Sequence, residues 1–150
     1  MGKSWAAVAM LVLGLVGCRG EPDSLRDLAR AAHDDEDFVS VPILRTSNLD
    51  RSLAYYEQQL GFETQFTWGE PASFAGTRRG ETLIFFCLEC QGSGPNWMMI
   101  FVRDVRGLHD ELKKRGANIV RGLVEEPWGM VEMHVEDPDG HILRFGTGTD

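Results

Sequence analysis

Three polar side chains near the C-terminus stand where chemistry is possible: Glu132, His134 and Arg144. Glu132 and His134 are two residues apart, so in a strand both point to the same face. If the next strand brings Arg144 beside them, carboxylate and guanidinium pair. The imidazole can then serve as acid, base or hydrogen-bond partner near neutral pH. A structural ion pair beside a surface histidine fits the same residues. Trp128-Gly129 precedes this segment, with Trp128 placed to wall a pocket mouth or to pack in a loop. A second candidate is Cys87-Leu88-Glu89-Cys90. Its spacing is thioredoxin-like, but it leads into a Gly-rich loop rather than a helix, and it is half of a zinc site with no second pair. A small disulfide within the turn and free thiols both remain open. His33 beside Asp34-Asp35-Glu36-Asp37 reads as a solvated charge run, with a metal cluster as the other reading. There is no G-x-S-x-G, phosphate-binding glycine loop or dinucleotide fingerprint.

These residues are positioned by a repeated pattern. The 150-residue chain is 43% hydrophobic and 25% charged, which excludes collagen-like, wholly disordered and multi-pass membrane classes. Its net charge of −8 argues against nucleic acid as a partner and weakly favours cationic or neutral ligands. Phe38–Thr46 alternates as a strand, with Pro42 confining it to an edge or irregular role. Asn48 caps a helix from Leu49 to Leu60, ended by Gly61. Strands are expected near Glu63–Trp68, Ser73–Arg78 and Thr82–Leu88. After Gln91-Gly92-Ser93-Gly94-Pro95 the order restarts: a strand Trp97–Val102, a helix capped by Asp104 and running to Arg115, Gly116, then strands near Ile119–Leu123, Met130–Val135 and Ile142–Phe145. Two βαβββ units of equal period form an internal repeat. The expected fold class is α+β: two repeats making a curved, cup-like mixed sheet with the helices outside.

The N-terminal segment reads as an address. Lys3 precedes the apolar run Trp5–Val16, too short for a spanning helix, which needs about 20 residues. Leu15-Val16-Gly17-Cys18 resembles the lipobox of bacterial lipoproteins, in which the cysteine is lipidated. The resemblance implies a signal peptide over residues 1–17, an acidic tether over 18–37 and a folded domain over 38–148. It also implies that lipidated Cys18 anchors the protein in the bacterial cell envelope, with the outer membrane or periplasmic face favoured because Arg19, not Asp, follows Cys18.

Three stretches carry a second resemblance. They are Thr46–Phe62, Val102–Ala117 and Pro127–Gly146, the last containing the turn Asp137-Pro138-Asp139-Gly140. In order and within a repeat, they resemble the vicinal oxygen chelate superfamily, also called the glyoxalase/bleomycin-resistance/dioxygenase superfamily, and most closely its bleomycin-resistance branch. The enzymes of that superfamily hold a divalent ion with ligands from the first and last strands of each repeat. Alignment puts Val41, about Ile84, Trp97 and Arg144 at those positions, and none is a usual ligand. No metal and no cofactor are therefore expected.

Strand parity places Val131, Met133, Val135, Leu143 and Phe145 toward the helix, leaving Glu132, His134, Ile142 and Arg144 toward the cup. By the alignment, Val41, Ile43, Ile84, Phe86, Trp97, Met99 and Phe101 also fall on the cup side. Trp97 and Phe101 suit a pocket wall, the core or a dimer interface equally. The expected ligand-contact set is Ile43, Phe86, Trp97, Phe101, Trp128, Glu132, His134 and Arg144, with no catalytic residue assigned. The reading that results is a lipid-anchored, metal-free homodimer that binds a small organic molecule, cationic or aromatic, in an apolar groove. The alternative is a metal-dependent glyoxalase-like lyase or dioxygenase. Replacement of Cys18 by Ala should abolish lipid modification and membrane partitioning; mature protein found in the cytosolic fraction with Met1 intact would contradict the anchor.

Overall fold

The computed structural model describes residues 40–90 and 92–149. The signal segment, the tether, His33 and Cys18 lie outside the described residues. The chain forms β1 (Ile43–Thr46), α1 (Leu49–Gln58), β2 (Glu63–Trp68), β3 (Phe74–Arg79), β4 (Thr82–Leu88), β5 (Trp97–Phe101), α2 (Val105–Arg115), β6 (Ile119–Glu126), β7 (Met130–Glu136) and β8 (Ile142–Gly148). Three of the four helix ends are as expected: the Asn48 side chain accepts from the Arg51 amide, Asp104 from the Gly107 amide, and Gly116 closes α2 with φ of 79°, whereas α1 stops at Gln58 with Gln59 as its C-cap, short of the expected Leu60 and Gly61. Strand β1 is shorter than its alternation predicts, since residues 40–42 stand outside it and Pro42 lends only its carbonyl, to the Phe85 amide. Strands β6 and β8 run longer than expected.

Each βαβββ unit makes its own four-stranded sheet, ordered β1-β4-β3-β2 and β5-β8-β7-β6. The β1–β4 and β5–β8 pairs are parallel and the remaining pairs antiparallel. The two sheets therefore stay separate ladders, where one continuous sheet was expected. What joins them is a common core on the helix side, where Leu44, Tyr56, Leu60, Ile84 and Phe86 of the first unit meet Ile100, Leu112, Met133, Leu143 and Phe145 of the second. Burial of this apolar surface is the main stabilising term.

The β7–β8 turn supplies the polar part of the same contact. Asp139 reaches the first unit and accepts from Thr46 Oγ1 (2.8 Å), the Ser47 amide (3.1 Å) and hydroxyl (2.7 Å), Arg51 Nη2 (2.7 Å) and Ser52 Oγ (3.0 Å). Burial acts to raise its pKa, but these donors outweigh it and hold the carboxyl far below the usual range. Its neighbour Asp137 folds the turn by accepting from the amides of Asp139 and His141, both at 2.9 Å, and from the Tyr56 hydroxyl at 3.2 Å. His141, itself buried, accepts from the Asn96 amide at Nδ1 (2.9 Å), so its proton sits on Nε2 and is donated to the Arg45 carbonyl at 2.8 Å.

Because the Asp139 pKa is depressed on folding, its contribution is present above the unfolded value of about 3.9 and is lost as pH falls through the folded value. Asp139→Ala should cost about 2–3 kcal/mol near neutral pH, by loss of charge-assisted hydrogen bonds. In thermal melts, the gap between wild type and variant should narrow as pH is lowered from about 5 toward 2; a gap constant with pH would show that the carboxylate is not the source.

Candidate functional site

Each sheet carries its helix on one face and leaves the other open. On the second unit the open face is a grid of registered residues. Across β5, β8, β7 and β6 run Met99, Arg144, His134 and Arg121, each the ladder partner of the next. The adjoining row holds Phe101, Gly146, Glu132 and Val124. The Met99 and Met130 methyls crowd Gly146: a Cβ there would lie 2.5 Å from the first and 2.8 Å from the second, so these flexible side chains would have to shift. Register shifts on both sides of Arg121 bend β6 and aim that side chain at its neighbours.

Glu132 is the buried anchor of this face, only 1% exposed. Its Oε1 accepts from Trp128 Nε1 at 2.8 Å, and its Oε2 accepts from Arg144 Nε. Burial pushes the carboxyl pKa up, but the bonds from Arg144 and Trp128 and the guanidinium charge outweigh it and hold the group ionised. The same pairing raises the Arg144 pKa. The Arg144 guanidinium also stands 5.3 Å from the centroid of the Trp128 ring, a cation–π arrangement. His134 lies between two cations, with Arg121 Nη1 at 3.4 Å from its Nε2. Burial first, then the Arg121 and Arg144 charges, lower its pKa, so it is neutral at neutral pH. Trp97 packs edge-on against the His134 ring with centroids 5.3 Å apart.

The expected contact residues separate into two groups. Trp97, Phe101, Trp128, Glu132, His134 and Arg144 converge on this one open face. Trp97 is 63% exposed, Phe101 75% and Trp128 59%, so none of them is core within the chain. Ile43 lies on the open face of the first sheet, since its neighbour Leu44 is the buried one. Phe86 requires correction. It is fully buried on the helix side, where its ring meets Tyr56 at 4.7 Å, and Ile84 is buried beside it. The residue of β4 on the open face is Phe85, which packs with Phe66 and Phe74 at 5.4 and 5.5 Å. Arg121, absent from the expected set, stands on the same face, and its pairing with His134 could be found only once the β6–β7 register was known.

Where the two first strands approach each other, Ser40–Pro42, Glu81–Leu83 and Met98–Phe101 border an open depression of about 620 Å³. Phe101 is shared by this depression and the polar grid. By strand phase the open-face position that the resemblance places at about Ile84 falls on Phe85, so the four positions it implies for a divalent ion are Val41, Phe85, Trp97 and Arg144. A set of three apolar side chains and one cation does not fit a divalent ion. Among the described residues, no three His, Cys, Asp or Glu side chains converge elsewhere. Cys87 and Cys90 form a disulfide, with Cα atoms 5.6 Å apart, at the end of β4. Arg45 and Glu89 form an ion pair beside it.

Comparison with known proteins places this geometry. Residues 38–145 match the model of the Glyoxalase/Bleomycin resistance protein/Dioxygenase superfamily. No curated protein matches the chain. Among solved structures, TioX from Micromonospora sp. ML1 is similar at 22% identity and a TM-score of 0.65, over 72% of this chain and 96% of that one. The bleomycin-binding protein from bleomycin-producing Streptomyces verticillus, solved with copper(II)-bleomycin, is similar at 24% identity and a TM-score of 0.61, over 77% of this chain and 98% of that one. A virulence protein from Salmonella typhimurium is similar at 20% identity and a TM-score of 0.61, over 76% and 98% of the two chains. Low identity makes these likenesses of fold, but the family match spans most of the chain: the protein belongs to the glyoxalase/bleomycin resistance protein/dioxygenase superfamily.

Proposed function

We propose that the protein binds a small organic molecule on the open face of its second unit and holds it without transforming it, in the manner of the bleomycin-resistance branch. The observation that carries this reading is the set of exposed aromatic rings, Trp97, Phe101 and Trp128, around a Glu132–Arg144 pair whose carboxylate is already fully hydrogen-bonded. Large apolar side chains left in water beside a rigid polar floor are the ordinary make-up of a ligand face. Likeness of fold to a protein solved with copper(II)-bleomycin supports a small-molecule ligand without naming it.

Two further parts belong to the proposal. The open faces of both sheets expose Ile43, Trp68, Trp97, Phe101 and Trp128, which favours a homodimer whose grooves form between subunits. The lipobox-like Leu15-Val16-Gly17-Cys18 favours an envelope protein tethered through lipidated Cys18. An anchor outside the cytoplasm argues against bleomycin itself, whose target is DNA.

Trp97 offers the direct test. Truncating an aromatic anchor commonly costs 2 kcal/mol or more, about thirtyfold in affinity. Trp97→Ala should weaken binding of the neutral aromatic probe 1-naphthamide by about that factor, measured by ligand-observed NMR. Its melting temperature should stay within a few degrees of wild type, since an exposed ring leaves no cavity. An unfolded variant would make Trp97 part of the core, and unchanged affinity in a folded one would move the ligand away from this face.

A further inference from the structure

The hydrogen-bonding capacity left over on the open face points to the charge of the ligand. Each carboxylate at the grid already has a partner. Glu132 spends one oxygen on Trp128 and the other on Arg144. Glu126 pairs with Arg121 at 2.5 Å. Glu136, farther along β7, is held by Asn118 Nδ2 at 3.2 Å. The donors are not committed to the same degree. Arg144 engages Glu132 through Nε alone, and among the described residues its two terminal nitrogens have no hydrogen-bond partner. A guanidinium carries five N–H groups in a planar fork, so most of the Arg144 donor capacity faces outward, and its side chain is about one-third exposed. Arg121 is similarly exposed and sits two strands away in the same row, with neutral His134 between. Adjacent strands lie about 4.8 Å apart, which sets the two residues about 10 Å apart at their backbones.

We propose that this face recognises a planar aromatic carboxylate: the carboxylate on the terminal nitrogens of Arg144 with Arg121 beside it, and the ring system between Trp97 and Trp128. The inference rests on the reading that the open face of the second unit is the ligand face. It reverses the preference that total charge suggests. A net charge of −8 favours cations at long range, but over a few ångströms the nearest unspent groups decide, and beyond about 8–10 Å salt screens the rest. A cation on this face would have to compete with Arg144, Arg121 and Asn118 for the carboxylates, and the cation–π position over Trp128 is already held by Arg144. A planar carboxylate matches a guanidinium fork in two parallel bonds, the geometry a lysine could not offer.

The experiment compares three probes of one shape on the full-length protein by ligand-observed NMR: 1-naphthoate, 1-naphthamide and 1-(aminomethyl)naphthalene. The carboxylate should bind about tenfold or more tighter than the amine, with the amide between, as charge-assisted bonds replace neutral ones. Arg121→Gln, which leaves the Glu132–Arg144 pair intact, should cut the preference, and Arg144→Gln should abolish it. Should Arg144→Gln fail to fold for want of a partner to buried Glu132, the Arg121 variant and the wild-type order still decide. Amine binding as tight as carboxylate, or a carboxylate preference unchanged in the folded variants, overturns this inference while a Trp97-dependent amide affinity keeps the ligand face. Failure of all three probes to bind overturns both.

Discussion

The arrangement depends most on how the β7–β8 turn grips the first unit. Two sheets that share no ladder need another way to fix their relative position, and apolar packing is not directional enough to do so. Asp139 gathers donors from the end of β1 and the first turn of α1, and His141 ties the Arg45 carbonyl to the Asn96 amide at the start of β5. Asp139 therefore receives the N-terminus of α1, where the macrodipole favours a negative charge, and does so from the other unit of the repeat. Tyr55 adds to the grip by donating to the Glu136 carbonyl and accepting from the Asn118 amide. The cluster fixes β8 at its start, only a few residues before Arg144. The geometry of the open face is thus set in part by a contact at the end of the β7–β8 hairpin.

That division of faces explains why the core and the candidate site do not compete. In β7 and β8 the residues alternate without exception between helix side and open side: Val131, Met133 and Val135 against Glu132 and His134, Leu143 and Phe145 against Arg144. Glu132 is as buried as its core neighbours, yet it lies on the other face, under Trp128 and Arg144. A buried ion pair contributes little net stability after desolvation, but losing one partner leaves the other uncompensated. Its value here is positional, since it holds one edge of the Arg144 guanidinium and one indole N–H in a fixed relation.

How much was legible in the sequence depended on whether a strand carried a phase marker. Both helices, their N-caps, the end of α2 and the order of the two units follow from alternation, Asn48, Asp104 and Gly116, and the structure agrees, while α1 ends at Gln58 rather than at Leu60. Strand β8 was read correctly because Arg144 marks which parity faces out. Strand β4, Thr82–Leu88, has Leu83, Ile84, Phe85 and Phe86 in succession, apolar on both faces, so alternation gives no phase and the alignment slipped by one, exchanging Phe86 for Phe85. The part played by Trp97 was open for a different reason: an aromatic residue at a strand start reads alike as core or pocket, and only its exposure in the folded chain separates the two. Asp139 was visible as a turn residue, but its donors lie 87 to 93 positions earlier in the chain, beyond any local pattern.

The same face also limits what chemistry is possible there. A general acid or base needs a lone pair or proton that the substrate can reach. Glu132 has neither, because both oxygens are engaged and burial covers them. His134 is the one titratable group of the grid with a ring nitrogen to spare, and its neighbours work against a role as acid. Burial first, and then the Arg121 and Arg144 charges, disfavour the imidazolium, so at neutral pH the ring lacks the second proton that a general acid would give. As a base it would have to accept a proton against the same repulsion, unless an anion lay on the two guanidiniums and cancelled it. A bound carboxylate would do this, turning His134 into a further donor to the ligand. Charges arranged in this way would strengthen the hold on an anion once it had arrived.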